Sequence, residues 1–300
     1  RRVSSIRAPA TGGSMASASR RRITERLSYG WLAMVVALAV VGPVLPLDAW
    51  NTVYDDSLAV GPFTNGHVLG TDSNGYDLLL GVINGARLSI LVAVVAVGLG
   101  GVIGSALGII AAYARGRTDS IITTVFNVIL SVPNLVLALA LVAVFATNID
   151  VSDAVPTWRR ILVLILSLTV VIIPILGRIA RAAALSWTSR EFVLAAQTMG
   201  MRARNIIWTH IVPNVMPALI AVGFLAVGVV IIAEASLSIL GVGVPDGASW
   251  GAMISRGRNE IDYAPHVVLV PLVFLATTVI STNHVGDVLR ARLDKRQARI

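Results

Sequence analysis

The sequence predicts an all-α integral membrane protein with six transmembrane helices, and three observations carry that reading. Hydrophobic residues fill 56% of the 300 positions before the 26 glycines are counted. Charged residues fill only 13%, about half the share of a typical soluble domain. Six uncharged apolar runs approach or exceed the ~20 helical residues needed to cross a bilayer core. The chain has no cysteine, which excludes disulfides, thiolate metal sites and cysteine nucleophiles together. Of the 24 basic residues only Lys295 is a lysine, so no P-loop can form, because its lysine must follow a glycine-rich loop and precede a helix.

The first run, Tyr29 to Leu47, follows Arg20, Arg21 and Arg22. It is too long for a secretory signal core and no small-residue cleavage pattern follows, so it reads as an anchor that stays. Residues 1–28 before it read as a basic tail without regular structure. The second run is Ile90 to Ala114 and the third Ile121 to Ala146. The fourth begins at Ile161 and continues past Arg178 and Arg181 to about Ser186. Val215 to Ala233 is the fifth, and the short run Val267 to Ile280 is the sixth. Residues 29–285 thus form one six-span domain, and 286–300 a basic C-terminal tail.

The arginines orient the spans. With alternating spans, nineteen basic residues fall on the side of the termini and five on the other, while the acids divide five to ten in the opposite sense. Basic loops stay in the cytoplasm, which puts both termini there. The net charge of +8 is therefore a topology signal and points to no nucleic-acid partner.

The loop between spans four and five, residues 187–213, holds the densest pattern. Thr188 and Glu191 have capping-box spacing. Phe192, Ala195, Ala196 and Met199 then recur at helical spacing, and Gly200 supplies a stop. A second short helix with Arg202 and Arg204 on its polar side leads to Pro213, where the chain re-enters the membrane. Such a helix–glycine–helix elbow suits docking into another protein's groove. Its residues alone fit equally well a helix pair resting on lipid headgroups.

Four further features stand out. Glu234 is the one carboxylate placed inside a span, a functional candidate by default, and its small neighbours fit either close packing or a gate. Asn127, Ser131 and Asn134 form a polar stripe beside Pro133, either lining a path or tying helices together. Gly100, Gly104 and Gly108, four apart, make a flat face for helix packing, with the partner helix left open. Arg178 and Arg181 are expected to snorkel to phosphates or to a partner's face. Near the second span, Thr71 and Asp72 are expected to cap a helix, with Gly70 and Gly75 in turns. His67, Asp72 and Asp77 could be read as a metal site, but capping and turns are the simpler account, and with the four histidines scattered no catalytic or metal-ligating set is expected in this chain.

Leu194-Ala195-Ala196, Gly200 and Ile211-Val212-Pro213 resemble the EAA loop of the membrane subunits of bacterial ABC importers, with Leu194 where the family places a glutamate. The stretch Arg190 to Asn214 is similar to the C-type subunits of dipeptide and oligopeptide permeases. So are Gly70-Thr71-Asp72 with Gly75 and Asp77, Glu234-Ala235-Ser236-Leu237-Ser238, Ser249-Trp250-Gly251-Ala252-Met253, and Gly286-Asp287 with Leu293-Asp294. The resemblance covers roughly Gly66 to Arg296.

It implies a bacterial inner-membrane permease subunit for short peptides with no covalent chemistry of its own. It also implies four kinds of partner besides the surrounding lipid: a second, homologous membrane subunit, two ATP-binding cassette subunits, an extracytoplasmic binding protein and the peptide cargo. The chain would bind no cofactor, with ATP and Mg on the partner subunits. The loop Glu191, Phe192, Leu194 to Ala196, Met199 and Gly200 would then insert into the ATPase. Three rivals remain at this level: a nickel importer of the same fold, a stand-alone secondary transporter or channel, and a structural scaffold. The second would commonly show internal repeats and broken midplane helices, and the sequence shows neither clearly.

Overall fold

The computed structural model describes residues 13–42, 48–146, 156–244 and 249–297. Ten α-helices follow one another among them: α1 Gly13–Val41, α2 Leu78–Ala114, α3 Gly116–Ser131, α4 Asn134–Ala146, α5 Thr157–Thr188, α6 Glu191–Thr198, α7 Ala203–Ile206, α8 Val212–Ile239, α9 Trp250–Gly257 and α10 His266–Gln297. Residues 13–28 and 286–297, expected as tails, lie inside α1 and α10. Residues 1–12 of the expected N-terminal tail lie outside the described residues.

Five helical runs are long and apolar enough to cross a membrane: Arg22–Val41, Leu78–Ala114, Thr157–Thr188, Ala203–Ile239 and His266–Leu293. The third expected span is not straight. It divides into α3 and α4, bent by 85° at the break. Pro133 is the cause, since its ring disfavours a helical residue before it and it offers no N–H; Val132 accordingly adopts extended geometry. The two halves still run the length of α5. Asp119 near the start of α3 reaches Arg181, while Ala138 and Val142 of α4 join the core that contains Leu164 and Leu168.

Helix α5 is the centre of the bundle, with 56% of its most apolar stretch buried against 6% for the peripheral α1. It packs on α2 across the glycine face. A Cβ on Gly104 would lie 2.3 Å from the Ile173 carbonyl oxygen, and one on Gly108 2.1 Å from that of Gly177. Gly100 meets the Ile172 side chain in the same way. The partner of this face is therefore internal. Backbones at such range gain dispersion and give up no side-chain rotamers. Phe126 of α3 fills the space over Gly177. Helix α10 packs on α8 through Gly228, which faces Thr282 and Asn283, and Gly286, which faces the Ala221 carbonyl. Helix α1 is held by Trp31, whose indole N–H donates to Thr278 Oγ1 at 3.0 Å.

Candidate functional site

The bundle has two differently built ends. The elbow end carries α6 and α7. Gly200, at φ +78°, closes α6 with both bonds of a Schellman motif: Met201 N–H to Ala196 O and Gly200 N–H to Gln197 O, each 3.0 Å. A left-handed residue is what this motif requires. The capping box does not form. Thr188 is the last residue of α5 and donates its hydroxyl to Leu185 O, and Arg190 precedes α6 without a side-chain cap bond.

The faces of α6 also differ from expectation. Val193 and Ala196 are the buried positions, joined by Ile109, Ala180, Ala184, Ile206, Ile211 and Val215 in a compact apolar cluster. Phe192, Leu194 and Met199 are turned outward, with Met199 77% exposed. Glu191, Ala195, Arg202, Arg204 and Pro213 lie on the exposed surface as well. Trp187, Phe192 and His210 form a chain of ring contacts, and Arg190 lies over the Trp187 ring.

The second arm of the elbow is not a separate helix. From Ala203 the chain passes through α7 and a π-turn, Ile207–Ile211, into α8, and Ala203–Ile239 is one helical run. The Val212 N–H reaches back five residues to Ile207 O. One added residue of slack lets the helix accept Pro213, whose missing N–H and ring would clash with regular α-geometry.

Polar residues expected to stand alone are paired. Arg181 donates to both carboxylate oxygens of Asp119, at 2.5 and 2.6 Å, and Arg178 to Asn127 Oδ1 at 2.5 Å. These bonds tie α3 to α5, so neither arginine snorkels freely. Ser131 donates to the Val128 carbonyl. Because the helix breaks after it, Asn134 starts α4 and the expected stripe is split; Asn127, Ser131 and Asn134 are nonetheless all exposed. Beside α8 an open apolar groove of about 500 Å³ runs between Gly98 and Gly101 of α2 and Trp208, Met216 and Gly223.

The opposite, clasp end is built from residues 48–77 and 249–266. Asp77, rather than Thr71 or Asp72, caps α2, accepting from Leu79 N–H at 2.7 Å and Leu80 N–H at 3.0 Å. Its other oxygen lies 2.6 Å from His67 Nδ1. Asp72 instead closes a local turn by accepting from Asn74 and Tyr76 N–H, and burial pushes its carboxyl above the usual range. Thr71 is fully buried and bonds Ser57 O and Val60 N–H. Tyr54 donates to Asp48, which raises its phenol to about 12. Glu260 grips the turn from across the chain, accepting from Ser73 N–H at 3.1 Å and from the Ser73 hydroxyl. Among the described residues no group of three His, Asp or Glu is placed to hold a metal ion.

Glu234 belongs to this end and is wholly enclosed, 0% exposed. Ser89 of α2 donates to its Oε2 at 3.2 Å and Ser238 to its Oε1 at 3.0 Å. Ser249, the N-cap of α9, stands beside the carboxylate and accepts from Ala252 N–H at 3.0 Å. Trp250, also fully buried, donates its indole N–H to Val82 O at 3.1 Å and its backbone N–H to Ser89 Oγ. Glu234 therefore lies at a junction of α2, α8 and α9, away from any open surface. The partners Ser89 and Glu260 were not singled out from the sequence. Only the Ser-Trp-Gly string at 249–251 carried a signal.

Residues 104–299 match the family described as the inner membrane component of binding-protein-dependent transport systems. The chain belongs to that family. It is a multi-pass inner-membrane permease subunit of the ABC importer class. The dipeptide transport system permease protein DppC of Alkalihalophilus pseudofirmus is 32% identical over 265 residues, covering 87% of this chain and 82% of the relative. OppC of Bacillus subtilis, an oligopeptide transport system permease protein, is 32% identical over 88% of this chain and 83% of its own length. GsiD of Pectobacterium atrosepticum, a glutathione transport system permease protein, is 32% identical over 89% and 85%. Among solved structures, an inward-facing form of the MetNI methionine ABC transporter aligns with a TM-score of 0.56 at 18% identity, over 71% of this chain and 97% of that one. At that identity the likeness speaks for the fold alone.

Proposed function

We propose that the chain is one of two membrane subunits of an ABC importer for short peptides. The cargo named for the three relatives is dipeptide, oligopeptide or glutathione, and all three are chains of one to a few amide bonds with charged ends. The subunit crosses the membrane six times, the bent α3–α4 pair counting as one crossing, and the arginine distribution puts both termini and the elbow in the cytoplasm. The second membrane subunit lies alongside, two ATP-binding cassette subunits hold ATP and Mg beneath, and an extracytoplasmic binding protein delivers peptide to the clasp end.

The observation that carries this reading is the build of the elbow. Helix α6 is anchored from below by Val193 and Ala196 and offers Phe192, Leu194 and Met199 outward. Beyond Gly200 the chain leads directly into a 37-residue helical run. An apolar ridge on a firm base, joined to a membrane-spanning rod, is suited to take a push from a soluble partner and pass it into the bilayer. ATP binding closes the partners around α6 and tilts the spans, which exchanges an inward-open for an outward-open path.

The test is Gly200→Leu. A leucine at φ +78° costs about 1–2 kcal/mol and disturbs the stop of α6, yet no neighbour lies within 4 Å of the new Cβ. Membrane insertion and subunit assembly are expected to persist, while ATP hydrolysis no longer drives peptide uptake into proteoliposomes. Normal uptake by that variant would overturn the docking assignment.

A further inference from the structure

The junction at Glu234 joins elements that the elbow does not touch. Helix α8 ends about one and a half turns beyond the carboxylate, in a second Schellman motif: Gly241 N–H to Ser238 O and Val242 N–H to Leu237 O. Helix α9 then packs back so closely that a Cβ on Gly251 would lie 2.4 Å from the Ala235 Cα. Two hydroxyls bond the carboxylate, Ser89 from α2 and Ser238 from α8 itself, with Ser249, the cap of α9, beside them, and Ser89 also accepts the Trp250 N–H that opens α9. The α9 segment continues into the turn Arg258–Glu260, whose Glu260 holds Ser73 in the 48–77 loop.

A buried carboxylate is a poor way to stabilise a helix junction. Well-packed apolar side chains of similar volume often do as well or better, because the charge must be stripped of water. What the carboxylate adds is direction. Apolar contact tolerates sliding of one helix over another, whereas hydrogen bonds between fixed partners set one register. The register set here links the far end of the Ala203–Ile239 run, roughly 55 Å of helix at 1.5 Å per residue, to the surface of the clasp end.

We propose that Glu234 is the positioning residue that makes α9 and its clasp on the 48–77 loop move with α8, so that displacement of the elbow reaches the opposite face. The inference rests on the functional reading above and adds to it the route by which occupancy of the clasp end is felt by the ATPase subunits. Coupling is reciprocal. A loaded binding protein pressing on the α9 surface therefore shifts the elbow through the same chain of bonds, Trp250 N–H to Ser89 and Ser89 to Glu234.

The experiment uses the complete transporter in nanodiscs, with ATP hydrolysis measured without and with saturating peptide-loaded binding protein. In Glu234→Ala the basal rate is retained and the subunits co-purify, but the ratio of stimulated to basal rate falls about fivefold or more, the lower bound for ordinary allosteric coupling. Glu234→Gln, which keeps the shape and one acceptor oxygen, recovers most of the ratio. A purely structural role would lower yield and thermal stability in Glu234→Ala and leave the ratio in the surviving complexes unchanged; that result overturns the proposal. Should Glu234→Ala fail to assemble, Ser89→Ala decides. It removes one donor to Glu234 and the acceptor of Trp250 N–H, so it lowers the ratio if the proposal holds and leaves it intact if not. A wild-type complex that no loaded binding protein stimulates would overturn the functional reading itself.

Discussion

The clasp end and the elbow end solve opposite problems with opposite chemistry. At the clasp end buried polar groups each meet named partners: Glu234 with Ser89 and Ser238, Glu260 with Ser73, Thr71 with Ser57 and Val60, Trp250 with Val82. Unmade bonds there would be expensive, so each group holds its partner in a single arrangement. At the elbow end the cluster under α6 is alanine, valine and isoleucine, and the larger apolar side chains face outward. Contacts of that kind are non-directional and lose little when α6 shifts by a fraction of an ångström. One end is built to keep a shape and the other to be moved.

The largest stability effect should come from breaking the rigid end. Trp250→Ala removes a fully buried indole and leaves Val82 O without its donor, and the cost is expected at about 3–5 kcal/mol. Thermal unfolding of the purified complex would read it as a large drop in Tm. A small change would mean that the clasp end is looser than its bonds imply.

At the elbow, the double substitution Phe192→Ala with Met199→Ala removes two half- to mostly-exposed side chains. Its effect on stability should stay within about 0.5 kcal/mol, while co-purification with the ATPase subunits is lost. Retained assembly would show that the outward ridge is not the contact. The contrast between the two variants, stability without assembly and the reverse, is the sharpest check on the division of labour.

The smallest expected effect concerns Asp72. Burial raises its carboxyl in the folded chain, so between the ordinary carboxylate value and that raised value the native state binds the proton more tightly than the unfolded chain. Stability contributed by this group therefore falls as pH rises through that window and is fully present below it. Asn at this position can still accept from Asn74 and Tyr76 N–H. Asp72→Asn should raise Tm slightly at pH 7, and the gain should vanish near pH 4. A gain that persists at pH 4 would remove desolvation as its cause.

Much of this was legible from the chain alone, where the cause is local. Apolar runs gave the spans, the four-residue spacing of Gly100, Gly104 and Gly108 gave a close-packed face, and Gly200 gave the stop of α6. Side chains whose partners lie far away in sequence left no such trace. Arg181 and Asp119 are 62 residues apart, Ser73 and Glu260 187, and neither pairing alters any local period. Asp72 and Asp77 are both followed by amides they can cap, and only the fold decides that Asp77 meets α2 while Asp72 closes a turn. Pro213 read as an end because regular helix cannot hold it, and the π-turn that accommodates it has no compositional sign. Glu234 was visible as an anomaly with Ser238 one turn on, yet Ser89 is 145 residues away and nothing in the order of residues brings the two together.

The break at Pro133 carries one more consequence. A straight helix hides all its amide groups from hydrocarbon, but Pro133 has no N–H to offer the turn before it, and the helix bends there by 85°. Acyl chains cannot donate a hydrogen bond, and Ser131, Val132, Pro133 and Asn134 are all on the exposed surface of this chain. A polar neighbour at that break, whether water or another side chain, is worth more to the helix pair than an apolar one.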